Sequence, residues 1–416
     1  MGQTALNKYK IINDPVYGFI KIRYEIIFHL VEHTLFQRLR RIRQLGMTHF
    51  VYPGATHSRF QHALGAMHLM NQAIETIRSK GHVISEEEAE AVNIAILLHD
   101  IGHGPFSHSL EKTLIKDVIH EDISLMMMEE LNREFEGRLS LAIQIFRNKY
   151  RKKFLHQLVS GQLDVDRLDY LRRDSFFTGV TEGTIGSDRI IKMLEIQNDR
   201  LVVEEKGIYS IEKFLLARRL MYWQVYLHKG VLAADQLLVM MLRRAKALAS
   251  EGNELFATPA LAYFLYNKGG EFSADNKQEF LANFAELDDN DIISAAKVWS
   301  KYSDPVLRYL CSGFVNRKLF RIEIRDKAFS DSRIKKIRHD LGLELNMDPD
   351  LVSLLVISDS ISNHAYSKLD DNIKILGKDG SVKDISEVSE ILNVSVLSRK
   401  IKKYYLCYPK NAGDLQ

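Results

Sequence analysis

The stretch Ala91-Val-Asn-Ile-Ala-Ile-Leu-Leu-His99-Asp100-Ile-Gly-His103-Gly-Pro-Phe-Ser-His108 limits the folds open to this chain more than any other. Its apolar run, Ile94 to Leu98, cannot rest in water, so it is expected to be a central helix of a packed core. The run ends in an adjacent histidine and aspartate, which the helix carries into a buried place. A lone buried carboxylate costs several kcal/mol, on the order of 5, unless it is paired or bound to a cation. His99 beside Asp100 offers a nitrogen and an oxygen to one divalent ion. His103 lies four residues after His99 and shares its face if the helix continues that far. Gly102 and Gly104-Pro105 mark the expected helix end and a tight turn.

Composition narrows the class. The chain has 416 residues, 46% hydrophobic and 27% charged, the range of an ordinary globular protein with room for two or more domains. A net charge of +3 does not indicate a nucleic-acid partner, although it does not exclude one. Cys311 and Cys407 have neither metal-binding nor redox spacing, and a reducing cytoplasm is the simplest reading. No apolar run approaches the roughly 18 residues of a membrane span, and the N-terminus lacks a signal-like apolar stretch, so no membrane partner is expected. Seven prolines and few strand-like alternations in the first 300 residues favour a mainly α protein.

Along the chain, Asp14-Pro15 and Tyr17-Gly18 suggest an N-terminal hairpin. Ile26 to Leu45 reads as one helix, with Arg38, Arg40, Arg41 and Arg43 on a solvated face or at a phosphate site. Arg59 opens a further helix, and Ser85 to Glu88 is a capping box for the central one. His120-Glu121 starts another. Gln157 to Asp174 interleaves Asp164, Asp166, Asp169 and Asp174 with apolar residues, so at least one acid should point inward. Leu201 to Tyr209 suggests a hairpin, and Ser210 to Ser250 a long helix. Three regions are expected: a helical core with its hairpin over 1–250, a helical extension over 251–316, and a small C-terminal α+β subdomain over 317–416. The order β-α-β-β-α-β in the last region suggests a ferredoxin-like fold.

His62, His99, Asp100 and Asp166 form the pattern H…HD…D. A single buried histidine is usually a satisfied core residue. Two histidines and two aspartates at the ends or inner sides of core helices are about the number an open metal site needs. Mixed nitrogen and oxygen ligation suits Mn²⁺, Fe²⁺, Mg²⁺ or Zn²⁺, and spacing does not choose among them. From the residues alone, the chain reads as a metal-dependent phosphohydrolase.

The segments Arg59-Phe-Gln-His62, His99-Asp100-Ile-Gly-His103-Gly-Pro-Phe-Ser-His108, His120-Glu121 and Asp164-Val-Asp166-Arg167-Leu-Asp-Tyr170-Leu-Arg-Arg-Asp174 resemble the HD-domain deoxynucleoside triphosphate triphosphohydrolases. So do Asn13-Asp14-Pro15-Val-Tyr-Gly18 and Phe36-Gln37-Arg38-Leu39-Arg40 through Gln44-Leu45-Gly46, which look like the members that also carry a sterile alpha motif. The resemblance covers roughly residues 10 to 230. It implies hydrolysis of a dNTP to deoxynucleoside and triphosphate, with one divalent metal ion per site held by His62, His99, Asp100 and Asp166. It implies catalytic positions at His103, His120 and Glu121. His120 would donate a proton to the departing 5′-oxygen, and Glu121 would orient it. His108, Arg59 and Arg167 match phosphate contacts. Gln44 and Asp174 match residues that bind the sugar 3′-hydroxyl, with Leu45 beside them, and Tyr170 and Tyr226 match the wall against the sugar. Arg218 and Tyr222 are in register with further substrate contacts. Tyr222 replaces a histidine, and Arg167 stands where the family often has lysine. The resemblance further implies a homo-oligomer, dimer or tetramer, with a nucleotide effector at positions Asn13, Glu32, Gln37, Arg40, Arg189 and Lys229. Two other readings stay open: an HD-type nucleotide monophosphatase or phosphodiesterase, and a nucleotide or nucleic-acid-binding sensor. Three guanidiniums, at Arg59, Arg167 and Arg218, suit a polyphosphate better than a monophosphate.

Overall fold

A computed structural model of the chain describes residues 10–106, 110, 113–115, 118–266, 272, 275–363, 372–389 and 401–410. It opens with the expected hairpin, β1 (Lys10–Asp14) paired antiparallel with β2 (Gly18–Ile22). Asp14 Oδ1 accepts from the amides of Val16 and Tyr17, and Gly18 takes the positive φ of +75° that closes the turn.

The single helix expected over Ile26 to Leu45 is broken. α1 (Glu25–Glu32) stops at His33, which is extended, and α2 (Thr34–Gln37) runs into a 3₁₀ turn at Arg38–Arg41. His33 Nδ1 accepts from the Leu35 amide at 3.2 Å, so the histidine caps the second piece. The arginines that follow are neither a solvated face nor a phosphate site as a set. Arg38 is fully buried, donates to the carbonyls of Leu287 and Ile101, and packs over Phe284. Arg41 pairs with Asp288, and Arg43 with Asp289. Arg40 and Arg41 keep exposed surface, and Arg40 lies over the Phe60 ring. The stretch is a brace between the core and the helices after residue 250.

The core is built on α3 (Arg59–Ser79), α4 (Glu86–Leu98), α5 (His120–Glu134), α6 (Ser140–Phe146), α7 (Lys153–Val159) and α8 (Val165–Thr178). The α4 capping box forms as expected, with the Glu88 amide donating to Ser85 Oγ at 3.1 Å and the Ser85 amide to Glu88 Oε2 at 2.9 Å. Ile94 to Leu98 are all within 1% of full burial, which makes α4 the central helix. α4 ends at Leu98, so His103 arrives by a turn and not along a continued helix. Gly102 donates to Ser124 Oγ, which donates to the His99 carbonyl at 2.7 Å, tying the turn to α5.

After α9 (Ser187–Lys192), the hairpin lies one strand earlier than expected, β3 (Leu194–Gln197) with β4 (Arg200–Glu204). Ser210 to Ser250 is not one rod. α10 (Ile208–Met221) passes into a π turn at Tyr222–Tyr226, and α11 (Lys229–Ser250) leaves at 56°. His228 caps the second rod by accepting from the Gly230 amide. No single helix among the described residues is long and apolar enough to cross a membrane. The extension holds α12 (Pro259–Tyr266), α13 (Lys277–Glu286), α14 (Asp289–Trp299) and α15 (Pro305–Val315).

The C-terminal region carries β5 (Arg321–Arg325), α16 (Asp331–Leu345), α17 (Pro349–Ser353), β6 (Ile357–Asn363), β7 (Lys374–Leu376), β8 (Val382–Asp384), α18 (Ile385–Val388) and β9 (Ile401–Tyr408). The fold is therefore a mainly α core followed by a small region with several strands. A ferredoxin-like sheet is not formed among the described residues. β5, β9 and β6 make a three-stranded antiparallel sheet, while β7 runs parallel to β4 and builds the order β3-β4-β7-β8. Buried Ile373 and Ile375 draw β7 to the core hairpin, which offers Val203 opposite Ile375. Asp348-Pro349 starts the short helix α17, with Asp348 accepting from the Asp350 amide, and β6 follows it from Ile357.

Gly65 of α3 faces α8 so closely that a Cβ there would overlap Asp169 Oδ1 and Arg173 Nη2. Gly65→Ala is expected to lower stability by about 3 kcal/mol or more, because it pries apart a buried ion pair as well as two helices. Urea denaturation measures this; a loss under about 1 kcal/mol would show that α3 and α8 separate without strain.

Candidate active site

The centre lies where α3, the end of α4 and α8 meet. His62 comes from the first turns of α3, His99 caps α4, and Asp166 sits in the first turn of α8. One ligand-capable atom from each lies within 4.8 Å of the others. Asp166 Oδ1 is 3.1 Å from His62 Nε2 and 3.6 Å from His99 Nε2. Ligand edges around an ion with bonds near 2.1 Å measure about 3.0 to 3.4 Å, so the triad has the right size.

The hydrogen bonds behind the triad choose the tautomers. His62 Nδ1 meets Asp169 Oδ2 at 2.8 Å, and His99 Nδ1 meets the Ile96 carbonyl at 2.7 Å. Each ring thus places its proton outward and turns the Nε2 lone pair inward. Both Nε2 atoms are buried and without a hydrogen-bond partner. Two orphaned imidazole nitrogens beside a carboxylate fit a divalent cation. Burial disfavours a charged His62, but the Asp166 and Asp169 carboxylates outweigh it and raise its pKa to about 10. The same imidazoles hold Asp166 well below the usual carboxylate range against the cost of its burial. The cluster is thus built to hold added positive charge.

Asp100, the fourth expected ligand, stands slightly apart. Its Oδ1 is 3.3 Å from His99 Nε2, and its Oδ2 is 3.9 Å from His62 Nε2 and accepts from Arg59 at 2.6 Å. His103 Nε2 lies 3.3 Å from Oδ1. His103 is buried, and burial beside Arg59 pushes its pKa down to about 3, so it is a neutral imidazole. It stacks on His120 at 3.8 Å, and His120 Nε2 is 3.3 Å from Glu121 Oε1. The three catalytic candidates therefore form one group on the rim of the metal site.

α8 then carries the remaining residues outward. Arg167 pairs with Asp164, whose own burial raises its pKa to about 6. Tyr170 lies close to both Arg218 and Arg167. Tyr226 stands 6.4 Å from Tyr170 and 5.3 Å from Tyr222, and its hydroxyl donates to Asp174 Oδ2 at 2.7 Å. A cleft of about 420 Å³ borders this set, with Gln44, Leu45, Arg59, Tyr222 and Tyr226 along its wall. His108 lies outside the described residues. Of the effector candidates, Arg40 donates to Gln37 at 2.7 Å; Asn13, Glu32, Arg189 and Lys229 are exposed and, among the described residues, are not joined to one another.

Sequence reasoning missed several contributors. Asp169 and Arg173 stand behind His62: Arg173 donates to Asp169 Oδ2 at 2.9 Å and to Asp14 Oδ2 at 2.7 Å. Their i,i+4 spacing in α8 was the available signal. His57 contacts Asp174 Oδ1 at 2.8 Å and stacks on Phe177, and nothing in its sequence context marks it.

The HD domain profile matches residues 59–174, and the profile of an HD-associated region matches 185–261. A crystal structure of a phosphohydrolase from Bacteroides thetaiotaomicron is 56% identical with a TM-score of 0.94, covering 97% of this chain and all of that one. The uncharacterized protein YwfO of Bacillus subtilis is 31% identical over 418 residues, covering 98% of this chain and 93% of that protein. A deoxynucleoside triphosphate triphosphohydrolase SAMHD1 homolog of Dictyostelium discoideum is 33% identical over 239 residues. That match covers 53% of this chain and 46% of that relative, so this chain spans about half its length.

Asp166→Ala is expected to abolish binding of Mn²⁺ in a competition titration, and Asp169→Asn to weaken it by about 10- to 100-fold through His62. Unchanged affinity in Asp169→Asn would mean that His62 needs no support. In Gly102→Ala the new Cβ meets the His120 carbonyl and the Ser124 amide. That variant is expected to keep the metal stoichiometry while displacing His120 and Glu121 and losing turnover at least tenfold.

Proposed function

Because the chain belongs to the HD-domain phosphohydrolases, we propose that its metal-dependent reaction is the hydrolysis of a deoxynucleoside triphosphate to deoxynucleoside and triphosphate. The observation that carries this reading is the order of residues along α8. Asp166 belongs to the metal triad, Arg167 and Tyr170 follow, and Asp174 is held between His57 and Tyr226. Eight residues of helix span about 12 Å. A nucleoside with its α-phosphate bridges that distance once side chains reach in from both ends. The SAMHD1 name of the Dictyostelium relative supports the same substrate class.

Within this reading each group has a physical task. A divalent ion, when bound, supplies Lewis acidity toward water and a phosphoryl oxygen. His62, His99 and Asp166 hold it, and Asp100 completes the set if Arg59 yields its carboxylate to a phosphate-bound arrangement. Arg59, Arg167 and Arg218 balance the negative charge of the triphosphate, where guanidinium forks match phosphate oxygens. His120 donates a proton to the departing 5′-oxygen. Glu121 orients that imidazole, and the neutral His103 packs against it without adding a competing charge. Asp174 accepts the 3′-hydroxyl, and the Tyr170–Tyr226 pair closes the space where a 2′-hydroxyl would sit. The same reading includes activation by a nucleotide at a subunit interface, where the Gln37–Arg40 pair and Glu32 offer an exposed polar face.

Incubation with each dNTP and rNTP and Mn²⁺ or Mg²⁺, singly and mixed, tests this through the products. Deoxynucleoside plus triphosphate from dNTPs alone is expected. Free phosphate or a monophosphate would replace it with a phosphomonoesterase or phosphodiesterase reading. His120→Ala is expected to keep its metal and lose turnover by about 10²-fold or more. Arg167→Ala is expected chiefly to raise KM; an unaltered KM would remove Arg167 from the triphosphate site.

A further inference from the structure

The cleft beside the active site has a second wall that does not belong to the HD core. Opposite Gln44 and Arg59 it is lined by Asp235 of α11 and by Asp359, Ile361 and Tyr405 of the C-terminal sheet. This wall is a rigid one. Tyr405 lies on β9, the middle strand, with Ile324 of β5 as its partner on one side and Asp359 of β6 on the other. The next two residues, Leu406 and Cys407, are fully buried. Tyr405 itself is only 3% exposed. Asp359 and Tyr405 are directly opposed across two strands, so their side chains share one face of the sheet. The Tyr405 hydroxyl also lies within the field of Asp235, with Arg243 two turns further along α11 as the nearby cation.

We propose that this wall reads the base of the nucleotide, and that its acceptor-rich face, Asp359 and Asp235 flanking Tyr405, selects guanine over thymine. The proposal rests on the dNTP reading of the site and deepens it. A nucleotide anchored at the metal by its phosphates and at Asp174 by its sugar has its base left to project into the remaining cleft. On this wall the charged side chains it meets are the carboxylates of Asp235 and Asp359, set beside Leu232, Gln236, Ser360 and Tyr405. An ionised carboxylate only accepts hydrogen bonds, from two oxygens side by side. Guanine presents two adjacent donors, N1–H and the N2 amino group, which match that pair. Thymine presents one N–H between two carbonyl oxygens, which a carboxylate repels. The C-terminal strands are thereby a specificity element of the active site, although they lie some 200 residues beyond its metal ligands in the chain.

The test compares the full-length protein with Asp359→Asn and with the double change Asp235→Asn, Asp359→Asn. Thermal unfolding confirms that each is folded. Triphosphate release from dGTP and dTTP gives the ratio of kcat/KM for the two substrates. That ratio is expected to favour dGTP in the starting protein and to fall about tenfold in Asp359→Asn, further in the double variant. Hydrolysis of both substrates with a ratio that moves less than twofold in either variant would overturn the wall while leaving the dNTP reading intact. If the protein releases no triphosphate, that reading fails, and equilibrium dialysis with deoxyguanosine and thymidine still decides the wall. Tighter binding of deoxyguanosine that is lost in the variants sustains it, and equal binding refutes it.

Discussion

Everything at the metal centre depends on one buried run of charge. Asp14 in the N-terminal hairpin holds Arg173, Arg173 holds Asp169, and Asp169 holds His62. Asp169 and Arg173 are completely buried. Burial would push the Asp169 pKa up, but Arg173 and His62 bring it below the usual range. Each member alone would be a costly buried charge; together they leave His62 with one proton position and one lone-pair direction. The hairpin is thus a structural part of the site, reaching it through a side chain from α8.

The second dependency runs through the arginines after α2. Arg38 spans from the Ile101 carbonyl, in the turn that carries Asp100 and His103, to the Leu287 carbonyl ahead of α14. Burial lowers its pKa to about 9, and the charge is kept by carbonyls, by Asp288 nearby, and by the Phe284 ring. With Arg41 and Arg43 on Asp288 and Asp289, the helical extension fixes the loop that presents Gln44 and Leu45. A break in the helix after Glu32 is what makes this geometry available. A continuous helix would have spread those arginines around its circumference.

The C-terminal region is divided between two tasks. β7 and β8 leave it to extend the core hairpin, while β5, β9 and β6 stand across the cleft from the HD core. A strand pattern read locally gives element types but not partners, because alternation of buried residues says which face is covered and not by what. β7 shows the point: its short apolar triplet finds Val203 of β4, about 170 residues earlier, as its parallel neighbour.

The sequence by itself determined the central helix, its capping box, the histidine and aspartate at its end, and the residue types of a metal-dependent phosphohydrolase site. These were legible because each rests on local chemistry: an apolar run that must be buried, and charged groups that cannot be buried alone. Three ligands assigned from that logic, His62, His99 and Asp166, are the ones the fold brings within 4.8 Å. What only the tertiary structure decided is which partners stand behind and across from them. His57 behind Asp174, Arg38 under the Asp100 turn, and Tyr405 across the cleft are all long-range contacts. Such pairings depend on how helices and strands distant in the chain are packed together, and no spacing along the sequence encodes that distance.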